Sequence, residues 1–223
     1  MRNSMNEYCV IELETWPRRK SFEFYRTFAN PSYNINVLFE IQPLYKLAKS
    51  RGDSFFLLTL YAILRAANEV PQIRQRYIGG QVIEYKQLAV MTPIMTQNEE
   101  FQQIWCEYEP DFPQFNAVAK PLVEAAKQGY SGPLTNHGED YICASCIPWL
   151  HFAGATQADL TFDETVPILA WGKMKDGKVP INCRFNHYFV DGLHFSRFFN
   201  KIEDSFLYPE LLYHKSTDQN TTF

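Results

Sequence analysis

The chain has 223 residues, of which 46% are apolar and 21% charged, and it carries a net charge of −4 at pH 7. This composition is typical of a globular protein and lacks the basic surplus of a nucleic-acid binder. The longest apolar stretch, residues 55–64, is too short to span a membrane, and the polar first residues lack the apolar core of a signal peptide. These features predict a cytoplasmic protein with neither a nucleic-acid partner nor a membrane partner.

The first half of the chain predicts strands and helices in mixed order. The predicted strands cover residues 8–14 and 35–41, together with two short strands on either side of Gly79-Gly80, a pair typical of a hairpin. One predicted helix begins at Pro17. Two more cover residues 43–49 and 54–69, and Pro71 stops the second of these.

The second half continues the mixed pattern. The predicted strands cover residues 88–95, 101–108, 141–147, 166–174 and 178–187, and the predicted helices cover residues 111–128 and 191–206. Asp176-Gly177 indicates a tight turn between the last two strands. No repeat or flexible linker divides the chain, so we expect one domain over residues 1–223. Its predicted fold class is α/β, a two-layer sandwich of a mixed β-sheet covered by helices on one face.

The five cysteines do not indicate a disulfide framework, because their number is odd. Cys143 and Cys146 have the C-x-x-C spacing, but they lie in an apolar stretch that predicts a strand. Along a strand these two thiols point to opposite faces, which is poor geometry for binding one metal ion. We therefore expect reduced cysteines and no metal site.

The segment from Phe185 to Phe195 carries the chemistry. His187 ends an apolar strand, and four residues later Asp191-Gly192 turns the chain into a helix. The ordinary pKa of histidine, about 6.5, suits a general base at neutral pH. On the residues alone, two interpretations stay open. His187 is either a base or a structural histidine, and Asp191 is either part of a site or a turn residue and helix cap.

The same segment is similar to the H-x-x-x-D-G active-site signature of the CoA-dependent acyltransferases. That group includes the chloramphenicol acetyltransferases, the cores of dihydrolipoamide acyltransferases and the condensation domains of peptide synthetases. Three further stretches resemble the first family in order and spacing. Residues 16–25 match its W-x-R-R-x-x-F-x-F-Y, residues 145–149 match S-x-x-P-W, and residues 167–173 stand where it has P-I-I-T-x-x-K. The resemblance covers essentially the whole chain.

The resemblance implies an O-acetyltransferase that uses acetyl-CoA as co-substrate, without a metal, and acts on chloramphenicol, an activity that confers antibiotic resistance. His187 would take the proton of the acceptor hydroxyl, which attacks the thioester directly. Ser145 would stabilise the oxyanion, and Asp191 would form a buried ion pair with Arg18. The family is a homotrimer with its sites at subunit interfaces.

The acceptor pocket implied by the resemblance includes Phe24, Tyr25, Tyr33 and Ala29, although aromatic residues at these positions could equally belong to the core. The chain departs from the family pattern at four positions. Asn186 replaces the first of two adjacent histidines, Ala170 replaces a threonine, and Ala29 and Ala155 replace larger apolar residues. These departures bear on the identity of the acceptor rather than on the transfer chemistry.

Three alternatives follow from these departures and from the family's breadth. The first is an O-acyltransferase of the same family that acts on a different small hydroxyl compound. A dihydrolipoamide acyltransferase core is disfavoured, because no lipoyl domain or Ala/Pro-rich linker precedes the fold. A non-catalytic binding module is disfavoured because His187, Ser145, Asp191 and Arg18 are all present.

Overall fold

The computed structural model describes residues 7–129, 138–159 and 164–215. The strands are β1 Tyr8–Val10, β2 Ser32–Glu40, β3 Gln75–Ile78, β4 Gln81–Tyr85, β5 Ala89–Met95, β6 Phe101–Cys106, β7 Tyr141–Cys146, β8 Ile168–Trp171 and β9 Lys178–Asn186. The helices are α1 Arg19–Tyr25, α2 Gln42–Arg51, α3 Phe55–Asn68, α4 Phe112–Lys127 and α5 Gly192–Leu207, and 3₁₀ turns cover Pro71–Ile73 and Pro209–Tyr213. One domain over residues 1–223 stays a prediction, since that range reaches beyond the described residues.

A mixed six-stranded sheet forms one layer, in the order β2-β9-β8-β7-β5-β6. The pairs β5–β7 and β7–β8 are parallel, and the other three pairs are antiparallel. Helices α2 to α5 pack against one another and against one face of this sheet, and their apolar side chains complete the core. The predicted two-layer α/β fold is confirmed. Strands β1, β4 and β3 form a separate small sheet that the sequence pattern did not distinguish.

Local sequence explains where the elements begin and turn. The Ser54 hydroxyl caps α3 by accepting the Leu57 N–H at 3.3 Å. The two predicted hairpins are present, because Gly79 and Gly80 have φ of 59° and 84°, and Asp176 and Gly177 have φ of 51° and 79°. None of the helices among the described residues is both long and apolar enough to cross a membrane.

Strand β8 ends at Trp171, earlier than predicted, although Gly172 still donates its N–H to the Pro180 carbonyl at 2.9 Å. A side chain at Gly172 would bring its Cβ within 2.6 Å of the Leu150 carbonyl oxygen, so only glycine permits this approach. The next residue, Lys173, donates its N–H to the same carbonyl at 2.8 Å. The strand predicted over residues 8–14 likewise ends early, at Val10.

Strand β9 is buried on both faces. Ile181, Cys183 and Phe185 join the helical core, whereas Asn182 and Arg184 face the other side of the sheet. On that side Asn182 donates to the Ala155 carbonyl at 2.8 Å and Arg184 donates to the Val166 carbonyl at 2.9 Å. These bonds attach the connection between β7 and β8, at Ala155 and Val166, to the outer face of the sheet.

Candidate active site

His187 directly follows β9, where its backbone N–H donates to the Pro31 carbonyl at 3.0 Å. Its ring is nearly parallel to the rings of Tyr25 and Tyr33, with centroid distances of 4.3 Å and 3.9 Å and interplanar angles of 7° and 22°. Its Nδ1 atom is buried and makes no hydrogen bond of good geometry to the described residues. The imidazole is therefore confined between two tyrosines, with Nε2 as the nitrogen that a bound molecule can reach.

The surroundings of His187 favour its neutral form. Burial lowers the pKa of the imidazole, and the nearby Arg18 charge acts in the same direction. The Val190 carbonyl, which accepts the Tyr33 hydroxyl at 3.1 Å, raises the pKa in opposition, as does Asp191. Because the net effect is a pKa below the ordinary value, the ring is uncharged at neutral pH and can accept a proton.

Arg18 connects three points of the turn between β9 and α5. Its Nη1 lies 2.5 Å from Oδ2 of Asp191, while Nε and Nη2 donate to the carbonyls of Tyr188 and His187, both at 2.9 Å. The Arg18 side chain is 10% exposed and that of Asp191 is 37% exposed. The ion pair implied by the resemblance is therefore formed, but it is buried only on the arginine side.

His194 is a contact of Asp191 that the sequence analysis did not include. Its Nδ1 lies 2.7 Å from the second carboxylate oxygen, Oδ1. The spacing of Asp191 and His194, an N-cap residue and the third residue of the helix, is that of a capping box, and this signal could have drawn attention to it.

Three aromatic rings form an apolar cluster next to His187. Phe24, Tyr25 and Phe28 pack edge to face in all three pairs, with centroids 5.1 to 5.2 Å apart. Phe24 is 58% exposed and Phe28 is 39% exposed, and the exposed Ala29 follows immediately. Phe28 was missed at the sequence level, because aromatic residues were assigned there only where the family motif has them.

Ser145 lies on β7, in a different part of the sheet. Ile142 and Ala144 face the core, so Ser145 points to the opposite face. It pairs with Ala170 of β8, which pairs with Asn182 of β9. The Ser145 hydroxyl makes no hydrogen bond within the part of the chain that the structure describes.

One chain does not bring Ser145 and His187 together. His187 follows Asn182 by five residues, and two strand spacings separate Asn182 from Ser145. At about 3.3 Å per residue and about 4.8 Å between strands, the two residues are roughly 19 Å apart. By contrast, the structure does bring Arg18, Asp191, Tyr25 and Tyr33 to the turn that carries His187.

The unusual Asn186 fits its position. It is 4% exposed, its Oδ1 accepts the Tyr188 N–H at 2.8 Å, and its Nδ2 donates to the Glu164 carbonyl at 3.1 Å. A carboxamide supplies the donor and the acceptor that these two bonds require. Ala170 is 3% exposed, and Ala155 is half-buried with its backbone N–H donated to Asn36 at 2.9 Å.

The two cysteines of the C-x-x-C stretch lie on opposite faces of β7. Cys146 packs towards the core, and Cys143 lies on the outer face near Arg184. Burial raises the pKa of Cys143 to about 11 and that of Cys146 to about 12, so both are thiols at neutral pH. Across residues 7–129, 138–159 and 164–215, no three His, Cys, Asp or Glu side chains converge to hold a metal ion.

Comparisons of the sequence with known proteins identify its relatives. The sequence model of the chloramphenicol acetyltransferase family matches residues 5–203. Chloramphenicol acetyltransferase 2 of Escherichia coli is 27% identical over 200 residues, which cover 86% of this chain and 94% of that protein. The Clostridium perfringens chloramphenicol acetyltransferase is 28% identical over 213 residues, which cover 89% of this chain and 94% of that protein.

Solved structures show the same relationship. A chloramphenicol acetyltransferase structure superposes with a TM-score of 0.83 and 33% identity, covering 90% of this chain and 100% of that one. The dihydrolipoamide acetyltransferase of Azotobacter vinelandii superposes with a TM-score of 0.63 at 18% identity, covering 86% and 88% of the two chains. The second similarity concerns the fold alone.

Proposed function

We propose that this chain, which belongs to the chloramphenicol acetyltransferase family, transfers the acetyl group of acetyl-CoA to a hydroxyl of chloramphenicol. The observation that carries this proposal is the neutral imidazole of His187, held between Tyr25 and Tyr33 with its Nδ1 buried. A base needs such a fixed position and an unprotonated nitrogen at working pH. We further propose that the enzyme works in the cytoplasm, where its proposed co-substrate acetyl-CoA is available.

The proposed reaction needs one base and no covalent enzyme intermediate. Nε2 of His187 accepts the proton of the acceptor hydroxyl while the hydroxyl oxygen bonds to the thioester carbonyl carbon. The carbonyl π electrons move to its oxygen and give a tetrahedral oxyanion. When the carbonyl re-forms, the carbon–sulfur bond breaks, and the CoA sulfur takes the proton back from His187. Arg18 keeps this histidine in place through the His187 and Tyr188 carbonyls.

Ser145 is proposed to donate a hydrogen bond to the oxyanion, and in this proposal it comes from a second copy of the chain. The separation of roughly 19 Å between Ser145 and His187 within one chain supports this division. The outward-facing Ser145 hydroxyl, which has no bond to the described residues of its own chain, supports it as well. The proposed assembly is a homotrimer of about 78 kDa, built from chains of 26.1 kDa, in which each cyclic interface contains one site.

The proposed acceptor fits the aromatic cluster. Chloramphenicol presents a primary hydroxyl near a nitrophenyl ring, so its site should be mainly apolar with one base at the hydroxyl. Phe24 and Tyr25 supply such a surface next to His187. A different small hydroxyl compound is the second candidate. It is favoured by the exposed Phe28 beside the small Ala29, since together they give the surface a different outline.

A coupled thiol-release assay tests the function. The chain is incubated with acetyl-CoA and chloramphenicol, free CoA is measured with a thiol reagent, and the product is identified by mass spectrometry and NMR. We expect acetylation at the primary hydroxyl. The KM for chloramphenicol should be higher than in family members that have larger residues in place of Ala29 and Ala155. If no acetylated chloramphenicol forms at saturating acetyl-CoA while another alcohol is acetylated, the second candidate is established instead.

Subunit complementation tests the divided site. We expect the His187→Ala and Ser145→Ala variants to be inactive alone. Subunits of both variants, co-expressed in equal amounts, should combine an intact His187 with an intact Ser145 in about one quarter of the interfaces of a random trimer. Activity near that fraction of wild type supports the division, and no recovery in a verified mixed trimer refutes it. Light scattering supplies the mass, and a stable, active monomer would contradict the trimer.

A further inference from the structure

His194 lies in the first turn of α5, and only 13% of its side chain is exposed. Its Nδ1 atom lies 2.7 Å from Oδ1 of Asp191, and the Asp191 backbone N–H points at the same Nδ1 from 3.3 Å. Neither the signature from His187 to Gly192 nor the proposed reaction gives this histidine a role. A half-buried imidazole in contact with the partner of Arg18 therefore needs an explanation.

The 2.7 Å contact determines where the proton lies. An ionised carboxylate only accepts hydrogen bonds, so Nδ1 must donate to it, because two unprotonated atoms would repel at 2.7 Å. A protonated Nδ1 cannot also accept the Asp191 backbone N–H, so that longer 3.3 Å approach is not a hydrogen bond in this state. Burial alone would raise the pKa of Asp191, but the hydrogen bond and charge of Arg18, together with His194, hold it below its ordinary value. Asp191 is thus ionised, and His194 carries a proton on Nδ1.

The second nitrogen of His194 is unprotonated at neutral pH. Burial lowers the pKa of this imidazole, and the two cations that face it, Arg18 and Arg197, act in the same direction against Asp191. A neutral ring with its proton on Nδ1 satisfies both the burial and the carboxylate. His194 therefore acts on Asp191 as a neutral hydrogen-bond donor.

Two side-chain donors then hold the Asp191 carboxylate, one on each oxygen, in addition to the Leu193 backbone N–H. Arg18 binds Oδ2 at 2.5 Å, and His194 binds Oδ1 at 2.7 Å. Held in this way, the carboxylate fixes the plane of the Arg18 guanidinium, whose other N–H groups donate to the His187 and Tyr188 carbonyls. The contacts run without a gap from His194 to the backbone of His187.

We infer that His194 is a positioning residue that keeps His187 in place through Asp191 and Arg18. The inference rests on the proposed function, because it concerns the same base. It assigns His194 no contact with either substrate. Its expected effect is on turnover, since small misplacements of a reacting group cost up to about 10²-fold in rate.

The first test compares His194→Ala with His194→Asn on whichever acceptor the wild type acetylates. The asparagine Nδ2 can donate from nearly the position of the histidine Nδ1. We expect His194→Ala to lose roughly tenfold in kcat with little change in KM for acetyl-CoA, and His194→Asn to stay within about threefold of wild type. Ser196→Ala, which removes an exposed hydroxyl bond in the same helical turn, is the matched control. Equal losses in both His194 variants would overturn the inference.

The second test separates a positioning role from general weakening of α5. In an Asp191→Asn background, His194→Ala should cause little further loss of kcat, because the chain of contacts is already broken. Independent losses that multiply would overturn the inference. If no acceptor is turned over, the proposed function fails and kcat cannot be compared, but the inference is still tested, because nitrogen NMR reports both histidines directly. We expect a proton on Nδ1 of His194, and an altered His187 titration in His194→Ala but not in His194→Asn. A proton on Nε2 of His194 alone would refute the inference.

Discussion

The turn that carries His187 and the strand that carries Ser145 are built in opposite ways. The turn is held by Arg18, by the Pro31 carbonyl and by two stacked tyrosine rings, all from the same chain. Ser145 lies in the regular ladder of β7 and β8, and its hydroxyl is bonded to nothing among the described residues. The base is thus oriented within one subunit, whereas the serine is positioned only by the sheet.

The difference matches what each region needs for its proposed role. A general base must have a fixed ring and a defined unprotonated nitrogen before the substrate binds. A donor to an oxyanion needs only a rigid backbone position, because its hydroxyl can rotate towards the charge as it develops. The two regions therefore differ in how far a single substitution should disturb them.

The largest effect is expected from His187→Ala, which removes the base. We expect kcat to fall by about 10²–10⁴-fold, with little change in the affinity for acetyl-CoA, in steady-state assays and equilibrium binding. His214→Ala, at an exposed position remote from the turn, is the control. A His187→Ala variant with activity within threefold of wild type would remove this histidine from the mechanism.

Ser145→Ala should have the next largest effect. We expect kcat to fall by roughly 10²-fold with KM nearly unchanged, because the bond to the oxyanion is worth most in the transition state. Ser50→Ala, which removes an exposed helical hydroxyl, is the control. If KM alone rises, Ser145 instead contacts the bound substrate in its ground state and does not stabilise the oxyanion.

The two regions also differ in how much of them the sequence predicts. Alternation and turn residues are local signals, so they locate β9, the Asp176-Gly177 hairpin and α5. Pairing between distant segments is not local. The separate sheet of β1, β4 and β3 and the stacking of Tyr33 on His187 therefore follow only from the fold.

The sequence predicts residue roles at the site only at positions that belong to a family motif. The contact between Arg18 and Asp191 joins positions 173 residues apart, and only the resemblance could suggest it. Phe28 and His194 lay outside the assigned motif positions and were missed. Burial was also misjudged, because Asp191 sits at a helix start where solvent reaches one of its sides.

Arg18 and Asp191 test how firmly the turn depends on their contact. Arg18→Val removes three charge-assisted bonds, and we expect it to lower the free energy of unfolding by about 2 kcal/mol and kcat by about tenfold or more. Asp191→Asn should have a smaller effect, because its side chain is 37% exposed.

The double variant should lose less than the sum of the two single losses, as measured by thermal unfolding and kcat. Arg19→Val is the matched control, since it breaks only exposed ion pairs, with Glu14 and Glu23. Strict additivity in both measurements would show that the two residues act independently.

The pH dependence should report the neutral His187. The pKa of His187 is lowered in the folded chain, so the base is inactivated by protonation only at a pH below the ordinary histidine pKa of about 6.5. We expect kcat/KM to be flat around pH 7 and to fall on an acid limb whose midpoint lies below that value. As the pH falls, His187 takes up a proton in the unfolded chain before it does so in the folded chain. Acidification between its unfolded and folded pKa values therefore also favours unfolding. An acid limb centred above pH 7 would contradict the lowered pKa.

The smallest effect is expected at Ala29, next to the cluster of Phe24, Tyr25 and Phe28. Leucine adds three carbon atoms, each worth about 0.8 kcal/mol if fully buried, and at this exposed position only part of that gain is available. If the acceptor ring lies against Ala29, Ala29→Leu should lower KM for chloramphenicol by roughly threefold to tenfold and leave kcat within about twofold. Ala117→Leu, at an exposed position on α4, controls for added surface bulk. A higher KM in Ala29→Leu would mean that Phe28 already fills this space, and the outline of the pocket would then favour a smaller acceptor than chloramphenicol.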